Sequence, residues 1–216
     1  MSRFKTLKDH VYDYISAQIM DGQLKPLEKI NENEISAALS VSRTPVREAL
    51  IQLSCEGLLE CIPRKGFVLS DTTEKQAENL YCIIGVLDAL AAETSCPFLS
   101  EKEYATMEFH IQSMDYAIDS DQYELYLEHQ DAFHEVYQNL CDNEILIDIL
   151  FRLKSRLFTR GYTKYADSNR RALLTVINSE HKEILRLLRE KETHKVSAYI
   201  SEIHWKPSHA RNELMK

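Results

Sequence analysis

The stretch that decides the fold reads Ser42-Arg-Thr-Pro-Val-Arg-Glu-Ala-Leu50 and runs on to Gly57. Its apolar side chains recur at i, i+3, i+4 and i+7, which predicts one buried helix face made of Val46, Ala49, Leu50 and Leu53. Ser42 is placed to cap this helix and Gly57 to end it. Arg43 and Arg47 are four residues apart and share a face that the core does not use. Two arginines in the first turns of a short helix are typical of a DNA recognition helix.

The residues before this stretch predict two further helices. Residues 6–20 carry the four-apart apolar series Leu7, Val11, Ile15 and Ile19, and the pattern stops at Asp21-Gly22. Asn31 opens a second, short helix, because Glu34 follows three residues later as in a capping box. Two short helices joined by a turn of about three residues have the spacing of a helix-turn-helix.

After Gly57 the pattern changes to two short β-favouring runs, residues 58–62 and 67–69, separated by Pro63-Arg-Lys-Gly66. Helices followed by a hairpin in this order predict a winged helix. The hairpin tip carries Arg64 and Lys65, two cations that could meet phosphates or the minor groove. The alternative is a small hairpin whose charged tip only faces solvent. This alternative is the weaker one, because the hairpin follows a helix-turn-helix.

From residue 71 onward the sequence favours helices only. A first helix is expected to bury one face formed by Leu80, Ile83, Ile84, Leu87 and Leu90. Further amphipathic segments follow from Ser100 and over residues 119–140, 144–161, 168–190 and 193–213. The fold class is therefore mostly α: a winged helix-turn-helix over residues 1–73, then an all-α antiparallel bundle of about six helices over residues 74–216.

Composition limits what the chain can be. The net charge is −8, and residues 1–74 carry nine Lys/Arg against eleven Asp/Glu, so DNA affinity must come from a local patch. Five cysteines without a C-x-x-C motif predict reduced thiols, each buried as a small hydrophobic residue. No apolar run approaches the ~20 residues of a membrane span, so we expect a cytoplasmic protein with no membrane partner.

Three histidines on three predicted helices are placed to face the core. His181 and His204 each follow an isoleucine by four residues, and His134 follows Leu127 by seven. Three imidazoles that meet at the centre of a bundle are a familiar arrangement for a first-row metal. Taken singly, each is more commonly a hydrogen-bonded core histidine.

Together these motifs resemble the GntR family of bacterial transcription regulators. The resemblance is carried by Glu34-Ile35, Ser42–Leu50, Leu53, Glu56-Gly57-Leu58-Leu59 and Pro63-Arg-Lys-Gly66. The helical second half is similar to the FCD effector-binding and dimerisation domain of the FadR-like branch. One departure is Leu27, where such proteins usually have glycine after Pro26; we expect an altered surface turn with DNA binding retained.

The resemblance implies a ligand-responsive repressor that binds a palindromic operator as a homodimer. Arg43 and Arg47 match arginines that reach base edges and phosphates, and Thr44 matches a backbone contact. Lys65 and Gly66 match the tip of the wing. The predicted DNA-binding residues are Ser42, Arg43, Thr44, Arg47, Arg64, Lys65 and Gly66.

In the second half the resemblance implies a metal held by His134, His181 and His204, with an acidic residue four positions before the first of them. That position is Gln130. Three alternatives are open: Gln130 is an oxygen ligand, Asp131 replaces it, or the site holds no metal. Zinc or nickel suits the imidazole ligands. The implied effector is a small organic acid or related metabolite, bound at the metal or in the same cavity.

A second departure is Ile84, four residues before Asp88, where many FCD domains place an arginine. Arg152, Arg156 and Arg160 are possible substitutes as partners of an anionic effector. His110 lies outside the family pattern and is not assigned.

Three other functions are left open. A metal-responsive regulator would use the same residues. A metal-dependent hydrolase would explain the histidines, but the sequence has no catalytic base at a fixed spacing, so we expect no enzyme. A protein–protein adaptor would suit the negative charge, although Arg43 and Arg47 count against it.

Overall fold

The structure of the chain, a computed structural model, describes residues 5–20, 23–161 and 170–210, without the side chains of 20 and 158–161. It is mostly helical, as predicted. Contacts divide the described residues into two compact units. The first comprises residues 5–20, 23–77 and 151–161, and the second comprises residues 78–150 and 170–210.

The first unit is a winged helix-turn-helix, as predicted. Its elements are α1 Leu7–Met20, α2 Glu32–Leu39, α3 Arg43–Cys55, β1 Leu59–Ile62 and β2 Gly66–Leu69. The two strands pair antiparallel, with Ile62 opposite Gly66. The predicted faces of α1 and α3 form the core of the unit, except that Leu7 at the start of α1 is exposed.

The helix starts differ in their chemistry. Asn31 caps α2, because its side chain accepts a hydrogen bond from the backbone N–H of Asn33 at 3.1 Å, and its amide donates to Glu34 at 2.7 Å. Ser42 is the residue before α3 and has an extended backbone, but its hydroxyl makes no capping hydrogen bond. The capping role predicted for Ser42 is therefore wrong. Gly57 follows α3 at a φ of 83°, the left-handed conformation expected of a glycine at a helix end.

The remaining helices follow the wing. They are α4 Glu74–Ser95, α5 Glu101–Asp119, α6 Tyr123–Gln138, α7 Glu144–Gly161, α8 Arg170–Arg189 and α9 Thr193–Tyr199. A 3₁₀ turn, Cys96–Phe98, follows α4, and a π-helical turn, Ile200–His204, follows α9. These six α-helices match the number predicted. Residues 144–150 of α7 belong to the second unit and residues 151–161 to the first.

The buried face of α4 differs from the predicted one. Leu80 and Ile84 are buried, but Ile83 and Leu90 are exposed. Small residues such as Gly85 and several alanines allow close packing on the side that we did not predict, since apolar side chains occur all round this helix. Residues 74–98 are long and apolar enough to cross a membrane, which is weak evidence because 56% of their apolar window is buried in the protein.

The cysteines divide into two groups. Cys96 and Cys141 are buried, as predicted, whereas Cys55, Cys61 and Cys82 are exposed. The prediction of burial is wrong for these three because each lies on the outer side of its element: the end of α3, the open face of a two-stranded hairpin, and the exposed side of α4.

The departure at Leu27 has a physical consequence. Leu27 has a φ of 63° and is 52% exposed, while its N–H donates to the Leu69 carbonyl at 2.9 Å. A residue with a Cβ loses about 1–2 kcal/mol in this conformation, which glycine adopts freely. Leu27 therefore occupies a position that suits glycine.

We predict that Leu27→Gly raises the free energy of unfolding by about 1 kcal/mol relative to Leu27→Ala. The alanine variant is the matched control, because it removes the exposed side chain and keeps the Cβ. Urea unfolding followed by circular dichroism measures both. Equal stability of the two variants would show that the turn is not strained.

Candidate functional site

The predicted DNA-binding residues lie on the exposed surface of the first unit. Arg43 and Arg47 project from the first turns of α3, and Arg64 and Lys65 lie at the hairpin tip. Together with Gly66 they line one open groove. Ser42 and Thr44, at the start of α3, are also exposed. The structure therefore brings cations of the helix and of the wing to one surface.

The hairpin tip owes its shape to a tight turn. The Lys65 N–H donates to the Ile62 carbonyl at 3.1 Å, and both Arg64 and Gly66 have positive φ angles, 65° and 93°. A Cβ added at Gly66 would meet only Lys29, at an ordinary 3.7 Å. Backbone conformation is therefore the reason that this turn favours glycine.

Sequence reasoning missed the partner of one arginine. The Arg47 Nε donates to Glu32 Oε2 at 2.7 Å, and the Arg47 side chain is 63% exposed. An exposed ion pair adds little to stability, so phosphates can displace the carboxylate at small cost. The pair spans 15 residues, which is why helical spacing did not indicate it. Glu32 holds this guanidinium against α2 in the absence of DNA.

The three predicted histidines meet inside the second unit. His134 comes from α6, His181 from α8 and His204 from the π-helical turn, and all three are buried. The His134 Nε2 lies 3.3 Å from the His181 Nε2 and 3.2 Å from the His204 Nε2. One ligand atom of each lies within 4.8 Å of the others. The structure therefore places the nitrogens of three imidazoles around one point.

The π-helical turn positions the third imidazole. The backbone N–H of Trp205 donates to the Ile200 carbonyl at 2.9 Å, and this hydrogen bond spans five residues. This turn accommodates one more residue than an α-helical turn, and such turns are frequent at functional sites. The inward direction of His204 agrees with the helical period, whereas the role of Trp205 directly after it was not predicted.

The outer ring nitrogens of two imidazoles face acidic or phenolic groups. The His204 Nδ1 lies 2.9 Å from Glu180 Oε2. The His134 Nδ1 lies 2.6 Å from the Tyr137 hydroxyl and 3.1 Å from Asp88 Oδ2. These contacts favour the tautomer that carries its proton on Nδ1 and leaves a lone pair on Nε2.

The donor set fits a divalent metal. Converging Nε2 lone pairs repel one another unless a proton or a metal cation lies between them. Four-coordinate zinc, with Zn–N bonds of about 2.05 Å, requires its nitrogens to be about 3.3 Å apart. The 3.2 and 3.3 Å separations around His134 meet that requirement. Metal occupancy itself remains a prediction.

Asp88 is the centre of the polar network beside the imidazoles. Its carboxylate has 0% exposure. Oδ2 accepts hydrogen bonds from the Tyr137 hydroxyl at 2.9 Å and the Trp205 indole N–H at 2.8 Å, while Oδ1 accepts from the Gln138 amide at 2.6 Å. Burial and the neighbouring Asp88 charge raise the pKa of Tyr137 well above its ordinary value, so the phenol stays protonated and donates.

Sequence reasoning did not assign roles to Asp88, Glu180 or Trp205. A signal existed for two of them: Asp88 is the one charged residue between positions 78 and 93, and Trp205 is the one tryptophan of the chain. Gly85 allows the contact between their helices, because a Cβ there would lie 2.8 Å from the Trp205 Cβ. Glu180 resembled an ordinary surface carboxylate in the sequence.

The other predicted effector-site residues are less closely associated with the imidazoles. Gln130 and Asp131 are half-buried on α6. Among the described residues, the Asp131 carboxylate is not part of the cluster in which the three histidine nitrogens lie within 4.8 Å of one another. The fourth ligand thus stays a prediction. Ile84, at the second departure, is fully buried.

The three arginines suggested for an anionic effector lie on α7. Arg152 and Arg156 belong to the first unit, where a Cβ added at Gly57 would lie 2.6 Å from the Arg156 Cγ. The Arg156 stem therefore packs over Gly57. The Arg160 side chain lies outside the described residues. A role for these arginines toward the effector remains a prediction. His110, which we did not assign, pairs with His129 at 3.0 Å between Nδ1 atoms.

Comparison with known proteins agrees with both halves of the chain. The family of bacterial regulatory proteins called gntR matches residues 7–69, and the FCD domain matches residues 79–204. The HTH-type transcriptional regulator YdhC of Bacillus subtilis is 28% identical over 182 residues, which are 83% of this chain and 80% of that protein. The transcriptional repressor RspR of Escherichia coli is 24% identical, over 74% of this chain and 70% of that protein.

Solved structures show the same fold. Escherichia coli McbR/YncC has a TM-score of 0.81 at 20% identity, over 95% of this chain and 97% of that one. A GntR regulator from Rhodococcus has a TM-score of 0.74 at 16% identity, over 95% of this chain and 97% of that one. The FCD match spans more than half of the sequence, directly after the winged helix. The chain therefore belongs to the GntR family of bacterial transcription regulators and carries an FCD domain.

Proposed function

We propose that the chain is a cytoplasmic repressor that binds a palindromic operator as a homodimer and responds to a small organic acid or related metabolite. Its winged helix implies DNA binding and its FCD domain implies a small-molecule effector. The observation that carries the proposal is the groove shared by α3 and the wing, with exposed cations on both elements. The related RspR of Escherichia coli is named a repressor, which supports that direction of control.

The groove provides two kinds of contact. An arginine guanidinium can bond O6 and N7 of guanine together, a contact worth about 1–3 kcal/mol of discrimination. Arg43 and Arg47 are the exposed residues of α3 with this chemistry. For Arg64 and Lys65 on the wing, the proposed contacts are with phosphates or the minor groove. Because the chain carries a net charge of −8, affinity depends on these few cations and decreases as salt increases.

We predict that Arg43→Ala or Arg47→Ala weakens binding to DNA from upstream of the protein's own gene by about 5- to 150-fold, and weakens binding to scrambled DNA less. Fluorescence anisotropy at fixed salt measures both affinities. Arg171→Ala is the control, because Arg171 lies on α8, where it pairs with Asp119. Equal losses on both DNAs would exclude base reading, and unchanged binding would favour the adaptor.

We propose further that His134, His181 and His204 hold zinc or nickel, with Gln130 as an additional oxygen ligand or Asp131 in its place. The proposal is supported by the convergence of the three Nε2 atoms. A bound divalent metal would supply a Lewis acid to which a carboxylate effector can bind. Relatives and fold are those of regulators, and none of these contacts requires hydrolysis.

Elemental analysis of protein purified without a polyhistidine tag tests whether the chain binds a metal. We expect about one zinc or nickel per chain and a rise in melting temperature on adding the ion. His181→Gln should abolish both effects. His129→Gln should keep them, because His129 pairs with His110 and lies outside the triad. Less than about one metal per ten chains, with no thermal shift, would end the proposal.

The homodimer is supported by the exposed side of α4. Ile83, Val86 and Leu90 follow one another at i, i+3 and i+7 and form an apolar row on the surface. Such a row favours a protein partner. A second copy of the chain is the partner we propose, because a palindromic operator requires two recognition helices related by twofold symmetry.

We predict that Val86→Asp weakens dimerisation by at least about tenfold, because a charge would be buried between two apolar surfaces. Sedimentation equilibrium of the full chain measures the association. Val176→Asp is the matched control, since Val176 is an exposed valine on α8. A monomeric wild-type protein would overturn the homodimer, and a Val86→Asp dimer of unchanged strength would exclude this face.

A further inference from the structure

We infer that the negative charge needed by a metal at this site comes from Asp88 and Glu180, behind the imidazoles, in place of a carboxylate bound directly at position 130. The inference rests on the proposed metal centre. It assigns to two buried carboxylates a role that neither the family resemblance nor the spacing of the histidines indicated.

The need for such charge follows from the ligands themselves. Three imidazoles and the Gln130 amide are all neutral, so a divalent ion would keep its full charge in a buried place. An uncompensated buried charge is strongly unfavourable. With Gln130 rather than Asp131 as the oxygen ligand, and before an anionic effector binds, compensation must come from groups that do not touch the metal.

Glu180 meets this need through His204. Its Oε2 accepts from the His204 Nδ1 at 2.9 Å, and both side chains are buried. A carboxylate that accepts from the outer nitrogen of a ligating imidazole fixes the tautomer and makes the inner nitrogen more basic. Glu180 directly precedes His181 on α8, so this helix provides one ligand and the counter-charge of another.

Asp88 meets the same need through His134. The His134 Nδ1 donates to the Tyr137 oxygen at 2.6 Å, and the Tyr137 hydroxyl donates to Asp88 Oδ2 at 2.9 Å. The carboxylate oxygen also lies 3.1 Å from the His134 Nδ1 itself. Trp205 and Gln138 hold the carboxylate in place. Two of the three imidazoles therefore have a buried carboxylate behind them.

Burial makes these two carboxylates effective. Charges in the protein interior are screened by salt much less than exposed ones, so their influence reaches a cation beyond the imidazole ring. The neighbouring Glu183 provides the contrast. It lies three residues after Glu180 on the same helix, but its carboxylate pairs with Arg186 on the outer surface.

The test uses the full untagged chain, with Zn²⁺ affinity measured by competition against a chromophoric chelator. Asp88→Asn and Glu180→Gln keep the shape of each side chain and remove its charge. Each should weaken Zn²⁺ binding by about 10- to 100-fold, and the double variant should weaken it further. Glu183→Gln is the matched control and should stay within about twofold of wild type.

A second readout separates charge compensation from a purely structural role. Histidine ¹⁵N NMR of the metal-free protein reports the tautomer of each ring. Glu180→Gln should lower the fraction of His204 that carries its proton on Nδ1. Asp88→Asn should do the same for His134. Tyr137→Phe leaves Asp88 Oδ2 3.1 Å from the His134 Nδ1 and should keep the proton there, so loss of that proton in Tyr137→Phe would overturn the Asp88 branch even if Asp88→Asn does not fold.

The outcomes distinguish this inference from the proposed function. If wild type binds Zn²⁺ and both charge-removing variants bind it equally well, the inference is overturned while the metal centre stands. If wild type binds neither Zn²⁺ nor Ni²⁺, the metal centre itself fails and the inference fails with it. Weaker binding by Glu183→Gln to the same extent would also overturn the inference, because the effect would then be general.

Discussion

The second unit depends on the burial of the Asp88 carboxylate in an apolar helix. A carboxylate with no exposure is tolerated only where donors surround it, and here the donors come from Tyr137, Gln138 and Trp205. The same requirement aligns α6 with α4 and orders the π-helical turn, since Trp205 follows His204 directly. Satisfying one buried charge therefore also places two of the three imidazoles.

The small number of cations in the first unit limits its electrostatic attraction for DNA. A chain with eight excess negative charges can attract DNA only where its cations are grouped, and the groove between α3 and the wing groups them. Glu32 keeps Arg47 on that surface through an exposed pair that contributes little to stability. With so few grouped cations, the general attraction of this chain for phosphate is weak.

The two units illustrate where periodicity is a reliable guide. In α1 and α3 the apolar residues occupy one face with polar residues opposite, so spacing alone identifies the buried side. In α4 apolar residues occur all round, and the helix has an exposed row, Ile83, Val86 and Leu90, opposite a buried side that carries Asp88. The predicted face was wrong there because hydrophobicity alone does not distinguish a buried face from an exposed apolar one. The capping role of Ser42 was wrong for a local reason. Its extended backbone puts it at the position before the first helical residue, but its hydroxyl makes no hydrogen bond to the helix.

Local sequence by itself determined the winged helix, the exposed arginines of α3, the cations at the hairpin tip and the inward direction of His134, His181 and His204. These features depend on residues at most a few positions apart, where the helical period and turn chemistry are decisive. Only the tertiary structure decided which groups stand behind the imidazoles. Asp88 meets Tyr137 and Trp205 across 49 and 117 residues, and Glu180 meets His204 across 24. A period reveals which face a side chain occupies, but contacts over such separations depend on how helices pack and on one π-helical turn.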